Sequence, residues 1–255
     1  MRFASLGSGS RGNAWLVDSG SVLVMLDCGF GLRETSMRLQ RRGVAADAVS
    51  AIVITHEHAD HARGAARFAA RHGCAVWLTH GCLAMLQATG EAPERVQVLD
   101  SHTPFAIGDL EIRPFPVPHD AREPVQYCVT DGHARLGVLT DAGHVTEHMV
   151  QCLSGCHALA LECNHDLDML RQGSYPPGLK TRILGPYGHL DNQAAAALLA
   201  RVDRCRLQHV VAAHLSEENN TPELARSALA EVLGCAPADI DVADQDQGLD
   251  WRDIV

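Results

Sequence analysis

Four residues of the types that bind metal ions lie within six positions of one another: His56, His58, Asp60 and His61. They follow Ala51–Ile54, an apolar run that predicts a short buried strand. Alternate side chains of an extended segment point to the same side, so His56 and His58 can share one ion. The chain then turns, and Asp60 and His61 can face a second ion. Imidazole and carboxylate donors without thiolates suit Zn²⁺, and also Mn²⁺ or Fe.

The alternative interpretation of these residues is a surface loop that holds histidines by chance. That interpretation is preferred for a single histidine near the end of a strand. Here four ligand-type residues at metal-binding spacing follow an apolar strand, which favours a metal site. Histidine is also abundant, with 15 among the 255 residues of the chain.

The order His-x-His-x-Asp-His after a strand resembles the signature of the metallo-β-lactamase superfamily. Three later residues, each expected at a strand end, match further motifs of that superfamily in the same order: His119, Asp141 and His214. Each match alone is weak, but four strand-end matches in family order are hard to obtain by chance. The resemblance implies two divalent metal ions with seven ligands: His56, His58 and His119 on the first ion, Asp60, His61 and His214 on the second, and Asp141 bridging both.

Two further aspartates are expected beside these ligands. Asp27, at the end of the predicted strand Val22–Leu26, resembles the structural aspartate of the superfamily and would orient a ligand. Asp120 directly follows His119 and would orient a ligand histidine or cap a turn. The expected site therefore extends beyond the seven ligands.

The loop Gly7–Asn13 is rich in residues that tolerate positive φ, and its backbone N–H groups could receive phosphate oxygens. Its candidate phosphate-binding side chains are Ser8, Ser10 and Asn13. The loop has the composition of an anion-binding nest but lacks the sequence of a nucleotide-binding P-loop.

Two motifs resemble those of the RNase Z-like phosphodiesterases. Glu162 lies in Leu-Glu-Cys-Asn-His-Asp, and His189 lies in Gly-His-Leu-Asp-Asn. In that group the pair assists protonation of the leaving group, so the resemblance implies catalytic roles for Glu162 and His189. Asp60 is the third candidate catalytic residue, because it would orient the nucleophile as well as bind metal.

Motifs near the two ends of the chain indicate the branch of the superfamily. Gly-Ser-Gly-Ser-x-Gly-Asn from Gly7 and His-Leu-Ser-Glu-Glu-Asn-Asn from His214 look most like the YycJ (WalJ) branch. That branch is associated with 5′-to-3′ DNA exonuclease activity and is related to PhnP-type cyclic phosphodiesterases. We therefore expect a metal-dependent phosphodiesterase that acts on single-stranded nucleic acid or a small cyclic phosphate. Asp141 argues against β-lactam hydrolysis, because the antibiotic-hydrolysing branch lacks this bridging aspartate.

Two other functions stay open at the level of sequence. A thioester hydrolase of the glyoxalase II type shares the five histidines and two aspartates, so the ligands do not separate it from a phosphodiesterase. It needs a basic and aromatic C-terminal region to hold glutathione, whereas the segment after His214 is mainly acidic, with Glu217, Glu218, Glu223 and Glu231. A non-catalytic, metal-bearing binding module is the last alternative, and the seven filled ligand positions argue against it.

The ligands need a scaffold that brings the ends of distant strands together. Apolar runs bounded by turn residues predict strands at Phe3–Leu6, Ala14–Asp18, Val22–Leu26, Ala51–Ile54, Ala75–Leu78, Phe105–Ile107, Leu110–Phe115, Val125–Thr130, Arg135–Leu139, Ala158–Glu162 and Val210–Ala213. Periodic segments with caps predict helices at Leu32–Arg42, Ala62–Arg71, Cys82–Ala88, Thr146–Leu153, Asp191–Val202 and Pro222–Leu233. The predicted class is α/β, with one domain over residues 1–255 folded as a four-layer αββα sandwich of mixed β-sheets flanked by helices.

Charge and cysteine content restrict the compartment and the partners. The net charge of −10 argues against a broad nonspecific nucleic-acid footprint, but bound metal ions can supply positive charge to a phosphodiester substrate. Nine cysteines without Cys-x-x-Cys spacing are expected to be reduced. No apolar run approaches the roughly 20 residues of a membrane span, and the first residues lack a signal-peptide core. We expect a cytoplasmic protein with no membrane contact and no obligatory protein partner.

Overall fold

Two seven-stranded sheets face each other in the computed structural model, which describes all 255 residues. The strands are β1 (Arg2–Gly7), β2 (Ala14–Asp18), β3 (Leu23–Leu26), β4 (Ala51–Val53), β5 (Ala75–Thr79), β6 (Val96–Leu99), β7 (Phe105–Ile107), β8 (Leu110–Pro116), β9 (Val125–Thr130), β10 (Arg135–Leu139), β11 (Ala158–Glu162), β12 (His209–Ala213), β13 (Asp241–Val242) and β14 (Leu249–Asp253). The α-helices are α1 (Leu32–Arg41), α2 (Ala59–Ala62), α3 (Ala65–His72), α4 (His80–Thr89), α5 (Glu147–Leu153), α6 (Leu167–Gln172), α7 (Pro177–Ile183), α8 (Asn192–Arg201) and α9 (Pro222–Leu233).

Both sheets are mixed. The first has the order β14-β1-β2-β3-β4-β5-β6, and the second has the order β13-β12-β11-β10-β9-β8-β7. In the first sheet the strands from β14 to β3 pair antiparallel and those from β3 to β6 pair parallel. The second sheet repeats this arrangement, with antiparallel pairs from β7 to β10 and parallel pairs from β10 to β13.

Three apolar clusters separate the layers. Trp15 and Val17 of β2 point into the central cluster, where they join Tyr127 and other side chains of the second sheet. Ala14 and Leu16 alternate to the opposite face and lie in the cluster beneath α1, α3 and α4. A third cluster lies between the second sheet and α5, α8 and α9. The order helix, sheet, sheet, helix confirms the predicted four-layer sandwich.

Strand β11 illustrates how a buried strand places a polar group. Ala158 and Ala160 face the central cluster, while Leu159 and Leu161 face the helices on the other side. Each fully buried leucine contributes about 1.5–3 kcal/mol relative to an exposed one, so the register of the strand is strongly specified. The strand ends at Glu162, a wholly buried carboxylate at the edge of the sheet.

The helix predicted over Ala62–Arg71 begins at Ala65 in the structure, and Gly64 separates it from a short helix that precedes it. Helix α2 ends at Ala62, and α3 begins at Ala65. The N–H of Gly64 donates to the carbonyl of Cys28, and a Cβ at Gly64 would lie 1.9 Å from the carbonyl oxygen of Phe30. The chain therefore turns here under a close backbone contact that only glycine permits.

Short elements account for the other differences from prediction. Strands β6, β13 and β14 and helices α6 and α7 were not expected, and each has seven residues or fewer.

The predicted helix caps are confirmed: Asp191 accepts hydrogen bonds from the N–H groups of Gln193 and Ala194, and Thr221 accepts one from Leu224. All nine cysteines are free. No helix combines the length and apolar character needed to cross a bilayer.

The strands point their carboxyl ends toward one edge of the sandwich. Strands β3 and β4 run parallel in the first sheet, and β8, β10, β11 and β12 share one direction in the second. The residues that follow these strands carry most of the predicted site. In open α/β sheets the carboxyl ends of strands are the usual place for ligands.

Candidate metal centre

Three histidines from two strand ends form the first donor group. His56 and His58 follow β4, and His119 follows β8 in the other sheet; one donor atom of each lies within 4.8 Å of the others. Nε2 of His119 is 3.3 Å from Nδ1 of His58. Nε2 of His56 is buried and has no hydrogen-bond partner. The structure therefore brings together the three residues predicted for the first ion.

The second donor group contains Asp60, His61 and His214. Oδ2 of Asp60 lies 3.2 Å from Nε2 of His61 and 3.5 Å from Nε2 of His214. Asp60 and His61 belong to α2, and His214 directly follows β12. His61 and His214 lower the pKa of Asp60 against the effect of its burial, so this carboxylate is ionised. These are the three residues predicted for the second ion.

Asp141, which follows β10, lies between the two groups. It shares one possible donor group with His56 and His61 and another with Glu162, His189 and His214. Its Oδ2 is buried without a hydrogen-bond partner, although Nε2 of His61 is only 3.0 Å away. At that distance the two atoms repel each other unless a proton or a metal ion lies between them. The placement suits the predicted bridging role.

Each of the five histidines has one ring nitrogen on a protein acceptor. The pairs are His56 Nδ1 with Thr55 Oγ1, His58 Nε2 with the Asp120 carbonyl, His61 Nδ1 with Asp27 Oδ2, His119 Nδ1 with the Gly188 carbonyl, and His214 Nδ1 with the Thr140 carbonyl. Such partners fix the ring and leave the other nitrogen as a lone-pair donor. Burial also lowers the pKa of His119 to about 4, which keeps it neutral as a ligand must be. The donor set fits divalent metal ions.

Asp27 holds the ligand segment from behind. Its Oδ1 accepts the N–H of Thr55 at 2.8 Å, and its Oδ2 lies 2.8 Å from Nδ1 of His61. Burial raises the pKa of Asp27, and His61 and Thr55 oppose that effect. The structure places this aspartate where sequence predicted it. Thr55 was missed, although its position directly before the ligands at a strand end was a signal; its hydroxyl lies 3.0 Å from both Asp27 and His56 Nδ1.

Asp27 and His214 are the only non-glycine residues with positive φ, at 61° and 54°. Backbone in this region costs free energy for residues with a side chain, so surrounding contacts must hold it. The N–H of His214 donates to Oγ of Ser8 at 2.9 Å. Two residues that the metal centre would use therefore have strained backbone conformations.

The Gly7–Asn13 loop lies behind the ligands. Asn13 Oδ1 accepts hydrogen bonds from the Ser8 hydroxyl at 3.0 Å and the Gly9 N–H at 2.9 Å, and Asn13 Nδ2 is 3.1 Å from His61 Nε2. Ser8 and Asn13 are buried, so their polar groups serve the protein itself, in contrast to the predicted contact with phosphate. Ser10 is exposed beside Asp60, and its phosphate-binding role stays a prediction.

Glu162 and His189 form a pair beside Asp141. Nδ1 of His189 is 2.7 Å from Oε1 of Glu162 and 3.3 Å from Oδ1 of Asp141. The other oxygen of Glu162 accepts the N–H groups of Ala142 at 2.8 Å and Leu190 at 3.1 Å. Burial raises the pKa of Glu162, and Glu162 raises the pKa of His189 against the effect of that residue's own burial.

Asp120 lies at the rim of the centre. Its Oδ1 is 3.5 Å from Nε2 of His119, and its Oδ2 accepts a hydrogen bond from Nε of Arg182 at 2.5 Å. Partial burial would raise the pKa of Asp120, but Arg182 and His119 lower it. Arg182 was not predicted, because its partner lies 62 positions earlier in the chain and no local pattern marks the pair.

Family comparisons agree with this geometry. The model of the family described as the beta-lactamase superfamily domain matches residues 23–214. The exodeoxyribonuclease YycJ of Bacillus anthracis is 34% identical over 235 residues, which cover 91% of this chain and 89% of the relative. The exodeoxyribonuclease WalJ of Streptococcus pneumoniae is 30% identical over 255 residues, which cover 98% of this chain and 92% of the relative.

Solved structures share the fold. The metallo-β-lactamase-fold protein YhfI of Bacillus subtilis matches with a TM-score of 0.75 at 14% identity, over 99% of both chains. A diphosphatase of the PhnP family matches with a TM-score of 0.69 at 18% identity, over 99% of this chain and 97% of its own. The short form of human tRNase Z matches with a TM-score of 0.67 at 16% identity, over 100% of both. The chain is thus a metallo-β-lactamase-fold hydrolase and belongs to the beta-lactamase superfamily, with YycJ and WalJ among its relatives.

Proposed function

We propose that the protein hydrolyses phosphodiester bonds at a centre of two divalent metal ions, and that it removes nucleotides from single-stranded DNA in the 5′-to-3′ direction. The observation that carries the proposal is the Glu162–His189 pair, which lies beside Asp141 and provides a proton donor next to the metal donors. The names of the relatives, both exodeoxyribonucleases, support the same substrate class.

Seven side chains would hold the ions: His56, His58 and His119 the first, Asp60, His61 and His214 the second, and Asp141 both. Bound Zn²⁺, Mn²⁺ or Fe would lower the pKa of water toward neutrality and neutralise charge on a phosphoryl oxygen. Asp27 and Thr55 keep His56 and His61 in the orientation that binding requires. We further propose that residues 1–255 work as one domain, because the central cluster joins both sheets.

His189 would give a proton to the leaving oxygen. One ring nitrogen is held by Glu162, so the other is free to donate. Glu162 cannot turn away, because backbone N–H groups of Ala142 and Leu190 fix its second oxygen. Asp60 is partly exposed in the donor group with His61 and His214, and it would orient the attacking water.

The thioester hydrolase is the second candidate, and the C-terminal segment argues against it. After His214 the chain forms α9 and β13 and then returns to the first sheet, where β14 pairs with β1. Residues 215–255 therefore complete the sandwich instead of forming a helical region that could hold glutathione. Their acidic residues Glu217 and Asp246 also form an ion-pair group with Arg11.

The first test is metal-dependent cleavage of 5′-phosphorylated single-stranded DNA, measured beside hydrolysis of bis(p-nitrophenyl) phosphate. We expect nucleotide release from the DNA and its loss in His58→Ala, which removes a metal donor while the surface outside the centre is unchanged. Hydrolysis of the small diester alone would point to a small-molecule phosphodiesterase. Failure on both substrates, with turnover of a thioester, would overturn the proposal.

A further inference from the structure

The segment from Met169 to Leu190 has a positive net charge in an acidic protein. The protein has a net charge of −10, yet these 22 residues contain no aspartate or glutamate. They contain Arg171, Arg182 and the only lysine of the chain, Lys180. They also contain Tyr175 and Tyr187, two of the three tyrosines. Positive charge interleaved with aromatic side chains is typical of surfaces that bind single-stranded nucleic acid.

The end of this segment is attached to the metal centre. The carbonyl of Gly188 pairs with Nδ1 of His119, and the N–H of Asp120 donates to the carbonyl of Tyr187 at 3.1 Å. Tyr187 lies two residues before His189, so their Cα atoms are at most about 7 Å apart. Tyr187 therefore lies beside the residue that would donate a proton to the leaving oxygen.

Close backbone packing holds this loop in place. The N–H of His189 donates to the carbonyl of Ile183 at 3.0 Å, which closes a turn around Gly188. A Cβ at Gly188 would lie 2.1 Å from the Ile183 carbonyl oxygen, and a Cβ at Gly143 would lie 2.3 Å from the Pro186 carbonyl oxygen. The loop therefore packs directly against the residues that follow Asp141, and its exposed side chains have defined positions relative to the centre.

Tyr187 is a large aromatic side chain that is mostly exposed. It is 59% exposed, whereas Tyr127, the tyrosine outside the segment, is fully buried in the central cluster. An exposed aromatic ring at the rim of a catalytic centre offers a flat apolar face, and every nucleic-acid base can stack on such a face.

Arg182 has free donors at the same rim. Its side chain is 57% exposed, and its Nε donates to Asp120. The two terminal nitrogens make no hydrogen bond within the protein. The Asp120 contact fixes the guanidinium, and the remaining N–H groups are available for a phosphate oxygen.

We propose that Tyr187 and Arg182 form a binding surface for the strand that enters the metal centre: a base stacks on Tyr187, and Arg182 contacts a backbone phosphate. This inference rests on the proposed function and names the residues that would hold its single-stranded substrate outside the metal centre. A small cyclic phosphate held by the metal ions has no flanking base or phosphate to use these two groups.

The test is binding of a fluorescein-labelled, phosphorothioate-linked single-stranded DNA to the metal-loaded protein, followed by anisotropy. The probe is roughly ten nucleotides long, within the site sizes of single-strand-binding surfaces. Tyr187→Ala should weaken binding about tenfold, while Tyr187→Phe, which keeps the ring, should bind like the wild type. The same sequence as a blunt duplex should bind Tyr187→Ala and wild type equally, since its bases are already stacked.

The plot of log affinity against log salt concentration has a negative slope. Arg182→Ala should make that slope shallower by about 0.7, the contribution of one phosphate contact on a single strand. Arg206→Ala is the matched control. Arg206 is exposed and precedes β12, at the sheet edge opposite to His214. An unchanged salt slope in Arg182→Ala, or equal binding by Tyr187→Ala and Tyr187→Phe, would overturn the proposal that these residues form a binding surface.

Catalysis is followed separately, so the two proposals can fail separately. Wild-type protein that hydrolyses neither DNA nor bis(p-nitrophenyl) phosphate contradicts the proposed function. If the wild-type protein cleaves DNA but Tyr187→Ala and Arg182→Ala bind the probe as the wild type does, only the strand-binding surface is contradicted.

Discussion

Nδ1 of His189 lies 2.7 Å from Oε1 of Glu162 at the edge of the metal centre. Glu162 ends β11, a strand buried on both faces, and its second oxygen accepts two backbone N–H groups. The carboxylate is therefore fixed, and it in turn fixes the imidazole. A histidine held in this way can present its other nitrogen to a leaving group in one orientation.

The leaving group should determine how much His189 matters. A nucleotide oxygen leaves poorly without a proton, whereas p-nitrophenolate leaves readily as an anion. We expect His189→Ala to reduce kcat on DNA by about 10²–10⁴, the usual contribution of a general acid, with a much smaller loss on bis(p-nitrophenyl) phosphate. Steady-state kinetics on both substrates provide the measurement. Equal losses on the two substrates would show that His189 does not act as the proton donor.

Glu162→Gln keeps the shape of the side chain and removes its charge. The amide still reaches His189 but stabilises a cationic imidazole less well. We therefore expect a kcat on DNA that lies between those of the wild type and His189→Ala. The same kinetic comparison checks it, and metal content measured by atomic absorption should stay at the wild-type level. A loss of bound metal in this variant would instead make Glu162 a metal donor, as its place in the group with Asp141 permits.

Asp27 should control metal affinity without binding metal. Its carboxylate holds Nδ1 of His61 and the hydroxyl of Thr55, and partners of this kind commonly contribute 10- to 100-fold to affinity. We expect Asp27→Asn to weaken metal binding by about that factor, measured by competition with a chromogenic chelator. Asp47→Asn is the control, since Asp47 is exposed in the turn before β4. Unchanged affinity in Asp27→Asn would contradict the orienting role.

The sandwich could be predicted from the sequence because its long strands carry clear signals. β2 alternates between two cores, and β11 is a continuous apolar run with a charged end. β14 could not be predicted in this way. Its residues are mostly exposed or half-buried, and it forms by pairing with β1 at the other end of the chain. Pairing over that distance leaves no local pattern.

The candidate site was predictable where ligands follow strands directly. His119, Asp141 and His214 lie where the strand ends place them. Residues that act through tertiary contacts were not predictable. Arg182 meets Asp120 only because α7 folds over the rim, and the burial of Ser8 and Asn13 follows from packing of the first loop against the ligand segment. Composition suggested a phosphate loop, but composition does not report which polar groups are already paired.

Gly64 should be essential for folding rather than for chemistry. A Cβ there would meet the Phe30 carbonyl at 1.9 Å, and backbone cannot yield as a flexible side chain can. We expect Gly64→Ala to lower the free energy of unfolding by about 3 kcal/mol, at the upper end of overpacking effects. Urea denaturation followed by circular dichroism gives the value. Gly178→Ala is the matched control: Gly178 lies within α7 with open space around its Cα, so alanine should stabilise by about 0.5–1 kcal/mol. Similar effects of both substitutions would contradict the close contact at Gly64.

Removal of metal should destabilise the protein as well as inactivate it. Without metal ions, Nε2 of His61 must take up a proton to lie 3.0 Å from Oδ2 of Asp141, and the buried Nε2 of His56 has no partner. An ion present at 100 times its dissociation constant stabilises the folded state by about 2.7 kcal/mol. At roughly 2–4 °C per kcal/mol for a chain near this size, chelation should lower Tm by about 5–10 °C. Differential scanning calorimetry with and without a chelator measures the shift in Tm. The shift should be smaller in Asp141→Ala, because that variant has lost a donor to both groups. A wild-type Tm that is unchanged after complete metal loss would mean that the donor cluster is stable without ions, and would contradict the interpretation of these unpaired atoms as metal ligands.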